Sequence, residues 1–483
     1  MTWQRVGEDA FLTRLEARWM DAIDARAALR TRLARASSVH DFILTENALL
    51  VYARAEPELE ALFDAAWLDA PARGAEHLID VHYAGEDLAQ LAHILSMSQY
   101  DVINLHTASS FRVSFNGFLP GFAYLRGLHS TLASVPRRAS PRPRVPAHSV
   151  AIAAGMSAVY PAASPGGWHL LGQAVDFDVI ATPLLPGDRV RFRATERLHV
   201  ENLRSEVEMR EGLHVDAVRG IALIVDGVAL RSLHQGVAPG GPLLPQAAMR
   251  ANAAVGNDAS CSLLERIGDL TLSLSPRMRT RRIANEHGDV TTLSPGESIT
   301  LPWRSSARVG YIAIEGGLDV PHVLGGRGTL LSIRAGGLDG RPLRKADCIA
   351  LGETLSRPAP KLDAPKVSTT FSLVPCSDFP SERARIASML TSNLKVAHSS
   401  DRTGTRIVSD AQHLRVDANP SRVSLPIVRG SVQLTPAGEL IVMGPDHPIT
   451  GGYPLIGYVA GDDLEALFAL PPGSPVHFAL RDL

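Results

Sequence analysis

The chain has 483 residues, 45% of them hydrophobic and 20% charged, with a formal net charge of -2. That length implies several domains, the composition is that of an ordinary globular protein, and the near-neutral balance excludes the basic surface expected of a nucleic-acid partner. No apolar run reaches the roughly 18 residues of a membrane span. The polar start MTWQRVGEDAFLTRLE lacks a signal-peptide core. Cys261, Cys348 and Cys376 show neither metal-ligand spacing nor an even disulfide count. The expectation is a cytoplasmic protein with no membrane or metal site.

Residues 1–85 read as a small α+β module. RWMDAIDARAALRTRLARA has helical periodicity, VHDFILTENALLVYA reads as two strands joined at Glu46-Asn47, ELEALFDAAWLDA as a second helix and AEHLIDVHY as a strand. GEDLAQLAHILSMSQYDVINLHTAS then predicts one or two short helices. From Phe111 the pattern turns to short strands and tight turns ending at LLPGDRVRFRA, so 86–200 reads as a β-barrel. The charged stretch 195–216 marks a boundary. A second barrel is expected over 212–355, with one helix-like run, LLPQAAMRANAAVG. The proline-rich LSRPAPKLDAPKV is a linker, and 366–483 forms the last barrel. The fold class is thus mainly β with α+β, internally duplicated.

The duplication rests on an echo. HSVAIAAG, SPGGWHLLGQ and LLPGDRVRFRA in the first half are matched by GSVQLTPAG, ITGGYPLIGYV and LPPGSPVHFAL at the C-terminus, at nearly equal spacing. A weaker third copy is read at AGGLDGRPLRKADCIALG.

Chemistry is concentrated in a few stretches. In FNGFLPGFAYLRGL, Asn116 and Tyr124 sit among glycines and aromatics; the stretch reads either as a loop closing over a ligand or as an aromatic β core with a glycine bulge. Arg142 and Arg144 lie between prolines that hold the backbone extended, so both guanidiniums are candidates to grip a carboxylate or phosphate. His148 and Ser149 follow, with no acid in view to complete a triad. Ser164, Gly166, Gly167 and Trp168 in SPGGW, with Tyr160 just before, and Thr450, Gly451, Gly452 and Tyr453 in ITGGY place a hydroxyl beside consecutive glycines whose N–H groups can bind anions. Asp446 and His447 precede the second corner as acid/base candidates, and SSDRTGTRI carries Asp401 and Arg402. The only lysines are Lys345, Lys361, Lys366 and Lys395, so a phosphate-loop or Schiff-base lysine is excluded from the first two thirds of the chain. No Met-Lys-Met is present, so the chain carries no covalent biotin.

At these residues a family resemblance emerges. GFLPGFAYLRGL, RPRVPAHSVAIAAG, YPAASPGGWHLLG and LHTASSFRV, with His106, resemble the first of the paired allophanate-hydrolase-like, or KipI/KipA, proteins, the B and C subunits of bacterial ATP-dependent 5-oxoprolinase. YIAIEGGLDVPHVLGGRGT, GGLDGRPLRKAD, SSDRTGTRI and DHPITGGYPLIGYV resemble the second. A related pair forms the carboxyltransferase part of urea carboxylase. The resemblance implies two subunits fused in one chain and cyclophilin-like barrels. It also implies ATP-dependent opening of a small cyclic amide, 5-oxoproline, with a separate lactam-utilisation-type third subunit. It leaves open a regulator that binds a histidine kinase, or carboxyl transfer to urea or a similar amide.

Departures are local. In register with the family's Gln-Asp-x-Gly-Arg run the chain keeps Asp226, His234 and Gly236 but has Val228 and Ala229 at the Gly-Arg positions and Leu244 at a later Asp. Gly155-Met156-Ser157-Ala158 stands at a Gly-Gln-Thr-Gly run, and RRIANEHGD replaces a Gly-Ala-Asp loop. These losses imply an altered substrate or a silent site.

Overall fold

The computed structural model describes residues 2–481 apart from positions 8, 20, 57–61, 65–73, 179, 199–210, 230–231, 304–306, 355–365, 376–382 and 410–423. The N-terminal sheet runs antiparallel, its strands β1 (Trp3–Arg5), β2 (Ala10–Arg14), β3 (Asp41–Leu44) and β4 (Ala48–Tyr52) ordered 1-2-4-3. The hairpin turns at Glu46-Asn47 as expected; the Thr45 N–H reaches the Ala48 carbonyl at 2.9 Å. Helix Ile23–Leu33 packs on the sheet, burying Leu29 and Leu33 with Trp19, Phe42 and Leu49. The second predicted helix lies largely outside the described residues; only 62–64 are seen, and they are helical. The predicted linker and the core of the charged boundary also fall outside them.

Seven strands close the first barrel: β5 (Glu76–His82), β6 (Phe111–Asn116), β7 (Ala123–Arg126), β9 (Ser149–Ala153), β10 (Met156–Val159), β12 (His169–Val175) and β13 (Arg189–Ala194), in ring order 10-7-6-13-5-12-9. A separate two-stranded arm pairs β8 (Arg142–Val145) with β11 (Ser164–Gly166). β5 pairs antiparallel with β12 and parallel with β13, so it is the strand that closes the ring. This corrects the boundary read at residue 85: AEHLIDVHY belongs to the barrel, not to the N-terminal module. Helices Leu88–Ile94 and Gln99–Ala108 pack on β12 and β13. A capping box between Ser98 and Asp101 starts the second helix by satisfying its free N–H groups.

Before the second barrel comes an open seven-stranded sheet: β14 (Leu213–Val225), β15 (Leu263–Leu274), β16 (Arg281–Asn285), β17 (Val290–Leu293), β18 (Ser298–Leu301), β19 (Gly310–Ile314) and β20 (Cys348–Ile349). Its path is 17-16-19-15-14-20, with β18 on β15. The barrel expected over 212–355 is therefore not closed. The stretch that would supply closing strands is a run of glycine turns, with Gly316, Gly317, Gly325, Gly336, Gly337 and Gly340 all at positive φ, and makes only isolated bridges. The third copy of the echo contributes only β20.

The second barrel is built from β21 (Thr370–Pro375), β22 (Leu394–Val396), β23 (Gly404–Ser409), β25 (Ser431–Leu434), β26 (Leu440–Met443), β28 (Leu455–Val459) and β29 (Pro475–Leu480), with an arm of β24 (Leu425–Pro426) on β27 (Thr450–Gly451). Its ring order 26-23-22-29-21-28-25 matches the first barrel strand for strand, including the parallel pair β21/β29. The echoed Leu-Leu-Gly and Leu-Ile-Gly have one cause. A Cβ on Gly172 would stand 2.4 Å from the His82 carbonyl oxygen, and one on Gly457 2.3 Å from that of Val374. Only glycine lets the neighbouring strand come so close. Helix Pro245–Ala254 buries Ala247, Ala248 and Ala251 in a core that continues through Phe371, Leu467 and Phe468, so the open sheet and the second barrel share one interior.

Candidate functional site

The two halves meet where three of the singled-out motifs converge. Phe118 of the FNGF loop donates its N–H to Thr450 Oγ1 of the second corner at 3.2 Å. A Cβ on Gly117 would lie 2.8 Å from that oxygen, so glycine is needed for the approach. Gly236, at the end of the 233–236 turn, also comes close: its Cβ would lie 3.4 Å from Asn116 Cβ. That turn is anchored on the N-terminal module. Asp41 accepts the Leu233 N–H at 2.8 Å and pairs with His234 Nδ1 at 2.8 Å. Asn116 itself donates to the Leu184 carbonyl at 2.9 Å and leaves its buried Oδ1 unpartnered.

Beside this junction, the first barrel presents an aromatic cluster. Tyr124 stacks on Phe115 at 4.2 Å and meets Trp168 edge-on, while Phe122 contacts Tyr160 and Trp168. Burial pushes the Tyr124 phenol up to about 12, and the Tyr160 phenol also upward. Against the cluster lies a charged group that the sequence reading half anticipated. Arg142 and Arg138 both donate to Asp87 Oδ1, at 2.5 and 2.6 Å, and the Leu170 N–H reaches Asp87 Oδ2 at 2.8 Å. Burial works to raise the Asp87 carboxyl, but the bonds from Arg142 and Leu170 outweigh it and hold the group below the usual carboxylate range. Arg142 Nη1, Arg138 Nε and Ser164 Oγ stay buried without partners, so donors remain for an incoming anion. Arg144 is exposed and does not join them. The paired grip expected of Arg142 and Arg144 is in fact made by Arg142 and Arg138, because the extended arm turns its second arginine outward. Gly166 lets the Tyr160 hydroxyl pass, where a Cβ would stand 2.5 Å from that oxygen; the Gly167 carbonyl accepts from the Arg138 N–H at 2.9 Å.

The expected catalytic residues occupy a different environment. Arg402 donates twice to Asp446, at 2.7 and 2.8 Å, to Glu265 at 2.6 Å and to the Gly241 carbonyl at 2.8 Å. Burial opposes the guanidinium charge, yet Asp446 and Glu265 hold it protonated well above its ordinary range. Asp446 is thus locked in a bidentate pair and is not a free base. The Asp401 carboxylate is an exposed turn cap that accepts from the Thr403 N–H at 2.8 Å. His447 is fully buried; its Nδ1 lies 2.8 Å from the Pro448 carbonyl and burial holds it down to about 4. A neutral, enclosed imidazole cannot shuttle protons with solvent.

His106 is likewise interior. It links the Tyr83 hydroxyl at 2.7 Å to Ser157 Oγ at 3.0 Å, stacks on Phe192, and is pushed down to about 3 by burial. Fully buried and bonded on both ring nitrogens, it braces the barrel rather than standing ready for a ligand, which corrects its reading as a binding residue. Ser149 Oγ donates to the Pro146 carbonyl at 2.8 Å, and His148 holds a left-handed turn at φ 62°; both serve the backbone. In the second corner Thr450 is buried, while Gly452 and Tyr453 are exposed.

Sequence reasoning missed Asp87, Glu265 and Tyr311. Glu265 accepts from the Tyr311 hydroxyl at 2.6 Å and the Leu243 N–H at 2.8 Å. A lone acid just ahead of a helix, or an acid and a tyrosine in separate strands, carries no motif; their role comes from partners distant in the chain. A small cavity of about 20 Å³ borders Arg402 and Asp226, and a larger one of about 200 Å³ opens where the N-terminal module meets the second barrel. Asp226 is spent on the Gly328 N–H at 2.7 Å. No group of metal-ligating side chains and no helix long and apolar enough to cross a membrane occurs among the described residues.

Known proteins match this architecture half by half. Residues 1–183 fit the carboxyltransferase domain, subdomain C and D, and residues 235–480 fit the carboxyltransferase domain, subdomain A and B. The 5-oxoprolinase B subunit of Bacillus subtilis is 45% identical over 98 residues, 20% of this chain and 40% of that protein. The 5-oxoprolinase C subunit of Escherichia coli K12 is 29% identical over 243 residues, 47% of this chain and 78% of that protein. The chain thus spans only about half or less of the B-type relatives, 40% and 51% of the first two. The crystal structure of TTHA0988 superposes with a TM-score of 0.78 at 30% identity, covering 97% of this chain and 99% of that one. With both halves matched in order and one solved structure aligned end to end, the chain belongs to the carboxyltransferase-domain family, as a fusion of B-like and C-like parts.

Proposed function

We propose that this chain supplies both small components of a 5-oxoprolinase-type cyclic-amide hydrolase, acting with a separate lactam-utilisation-type third subunit and ATP. The observation that carries the reading is the docking of the B-like barrel on the C-like barrel through Phe118 and Thr450, in a chain whose halves match those two components. A lactam amide is a poor electrophile, so its opening needs an activated oxygen and a held substrate. Arg142, Arg138 and Ser164 have buried donors to spare for a carboxylate. The neighbouring Tyr124 and Trp168 rings offer apolar faces for a small ring.

The Asp87 cluster is not built for a triphosphate. The two arginines share one carboxylate, and of the lysines, Lys366 is paired with Asp463. In this reading ATP is held by the third subunit, and no step here runs through it. Asp446, His447, Asp401 and Arg402 serve as structure rather than as acids or bases. The test is 5-oxoproline-dependent ATP hydrolysis by the chain with a competent third subunit. Turnover is expected, with Arg142→Ala raising KM; no 5-oxoproline-dependent turnover overturns the reading.

A second reading is favoured by the family to which both halves belong: carboxyl transfer to urea or a similar amide, with biotin on a separate carrier. Biotin-dependent carboxylation of urea, without lactam hydrolysis, is its signature. A binding role toward a histidine kinase is the outcome if neither reaction occurs; Val228, Ala229 and Leu244, at positions the family fills with Gly, Arg and Asp, favour it.

A further inference from the structure

The first glycine corner is flanked by two polar atoms that nothing among the described residues satisfies: Ser164 Oγ before it and His169 Nδ1 after it, on residues 8% and 7% exposed. Buried polar groups are nearly always bonded, so two orphans at one corner call for an explanation. The His169 ring is fixed from one side. Its Nε2 lies 3.1 Å from the Pro136 carbonyl, which can only accept, so Nε2 carries the proton. Burial, outweighing the pull of the Asp87 carboxylate, holds the ring below its ordinary pKa. The imidazole is therefore neutral and Nδ1 is a bare lone pair.

The same short stretch gathers the Asp87 cluster. Gly167 accepts the Arg138 N–H at 2.9 Å, His169 meets Pro136, and the Leu170 N–H reaches Asp87 at 2.8 Å. The charges of Asp87, Arg138 and Arg142 all act on the His169 ring. Ion pairs use most of the cluster's charge: Asp87 takes both arginines, and Glu86 meets Arg142 Nε at 3.3 Å. What is left is hydrogen-bonding capacity of both kinds. Arg142 Nη1 and Arg138 Nε are donors, Ser164 Oγ is a hydroxyl, and His169 Nδ1 is the one pure acceptor. The second corner has no counterpart, since Pro454 stands where the first has His169 and Thr450 is already bonded.

We propose that His169 determines the specificity of the Asp87 cluster: its Nδ1 accepts the ring N–H of a cyclic amide whose carboxylate, one carbon away, is bonded by Arg142 Nη1 and Ser164 Oγ. The inference rests on the proposed function, which puts such a ring at this cluster, and adds what reads the amide side of it. A buried acceptor with no proton of its own admits an N–H and rejects a ring oxygen, whose lone pairs would face that of Nδ1. Arg138 and Arg142 approach from a segment outside the barrel ring, so admitting a ligand breaks no pair of barrel strands.

The test is calorimetric titration of the full chain, alone and with the third subunit, using 5-oxoproline and 5-oxotetrahydrofuran-2-carboxylate, the lactone of the same shape with a ring oxygen in place of the N–H. The lactam should bind roughly tenfold or more tighter. Two variants separate specificity from support. His169→Gln places an amide N–H where Nε2 stood, keeping the Pro136 bond and losing the acceptor; His169→Asn places an oxygen where Nδ1 stood and gives up the Pro136 bond. Loss of the lactam preference in His169→Gln and its retention in His169→Asn are expected. A preference that survives in His169→Gln makes the histidine a brace and overturns the inference. Equal affinity for lactam and lactone in the unaltered chain overturns it with no variant needed. Lactam-selective binding without turnover in the complete system sinks the hydrolase reading alone; turnover of 5-oxoproline with no preference in binding sinks this inference alone; and binding of neither ligand overturns both.

Discussion

The two barrels share a strand order and a glycine corner, yet the corners have opposite fates. In the first, Trp168 is 6% exposed and packs into the aromatic cluster beside Asp87; in the second, the equivalent Tyr453 is 48% exposed. Thr450 at the second corner is spent on the first barrel, whereas Ser164 at the first keeps an unpartnered hydroxyl. The same backbone device therefore lies in a buried polar and aromatic cluster in one barrel and makes a contact between the barrels in the other. What differs is the neighbour: the proline arm and Asp87, just ahead of its helix, enclose the first corner, whereas at the second the short arm β24 pairs with Thr450–Gly451 and leaves Gly452 and Tyr453 exposed.

The largest effect separating the barrels should come from their charges. Arg402 bridges Asp446 and Glu265, whose side chains are 14% and 3% exposed. Arg402→Ala strands both carboxylates and should cost about 3–5 kcal/mol in urea denaturation. If Arg402 were instead catalytic, stability would hold and only turnover would fall. Trp168→Ala should cost a similar ~3–5 kcal/mol by emptying a buried aromatic site.

The glycines test what the barrels have in common. Gly172→Ala and Gly457→Ala each drive a Cβ against a strand carbonyl, at 2.4 and 2.3 Å. Each should cost about 1–3 kcal/mol, and the two costs should nearly match. A large inequality would mean that the matching ring orders hide different packing.

How much of this was legible follows from what makes each feature. The duplicated barrels were readable because Leu-Leu-Gly and Leu-Ile-Gly answer a local steric demand that recurs in sequence. The open middle sheet was not, because whether a ring closes depends on a partner strand, and the glycine turns after Ile314 looked like any barrel's loops. Arg142 was legible from its prolines; its partner Arg138 was not, since Asp87, more than fifty residues earlier, is what gathers them. The dipeptide Asp446-His447 misled for the converse reason: its composition is that of an acid/base pair, but Arg402 and burial had claimed both side chains.

The buried histidines give each barrel a pH signature. His106 is held down to about 3 and His447 to about 4, from an ordinary 6.5, by burial. The unfolded chain takes up protons below pH 6.5 that the folded chain refuses, so stability is full above that pH and falls as pH drops toward 4. Each histidine adds a slope of about 1.4 kcal/mol per pH unit in that window. His106→Gln and His447→Gln should each flatten the profile; an unchanged slope in either would show that its imidazole is solvated when folded.

The smallest effect closes the comparison. Tyr453→Ala removes a ring that already stands half in water, so denaturation should move by no more than about 0.5 kcal/mol, against the several expected for Trp168→Ala. Activity divides the causes. If the exposed corner is a contact for the third subunit, Tyr453→Ala should weaken assembly while leaving the isolated chain's stability untouched, because large exposed aromatics are frequent anchors at interfaces. Equal affinity for the third subunit before and after the substitution, measured by titration of one protein into the other, would make the second corner a bare surface and leave the first barrel's buried polar cluster as the distinguishing use of the motif.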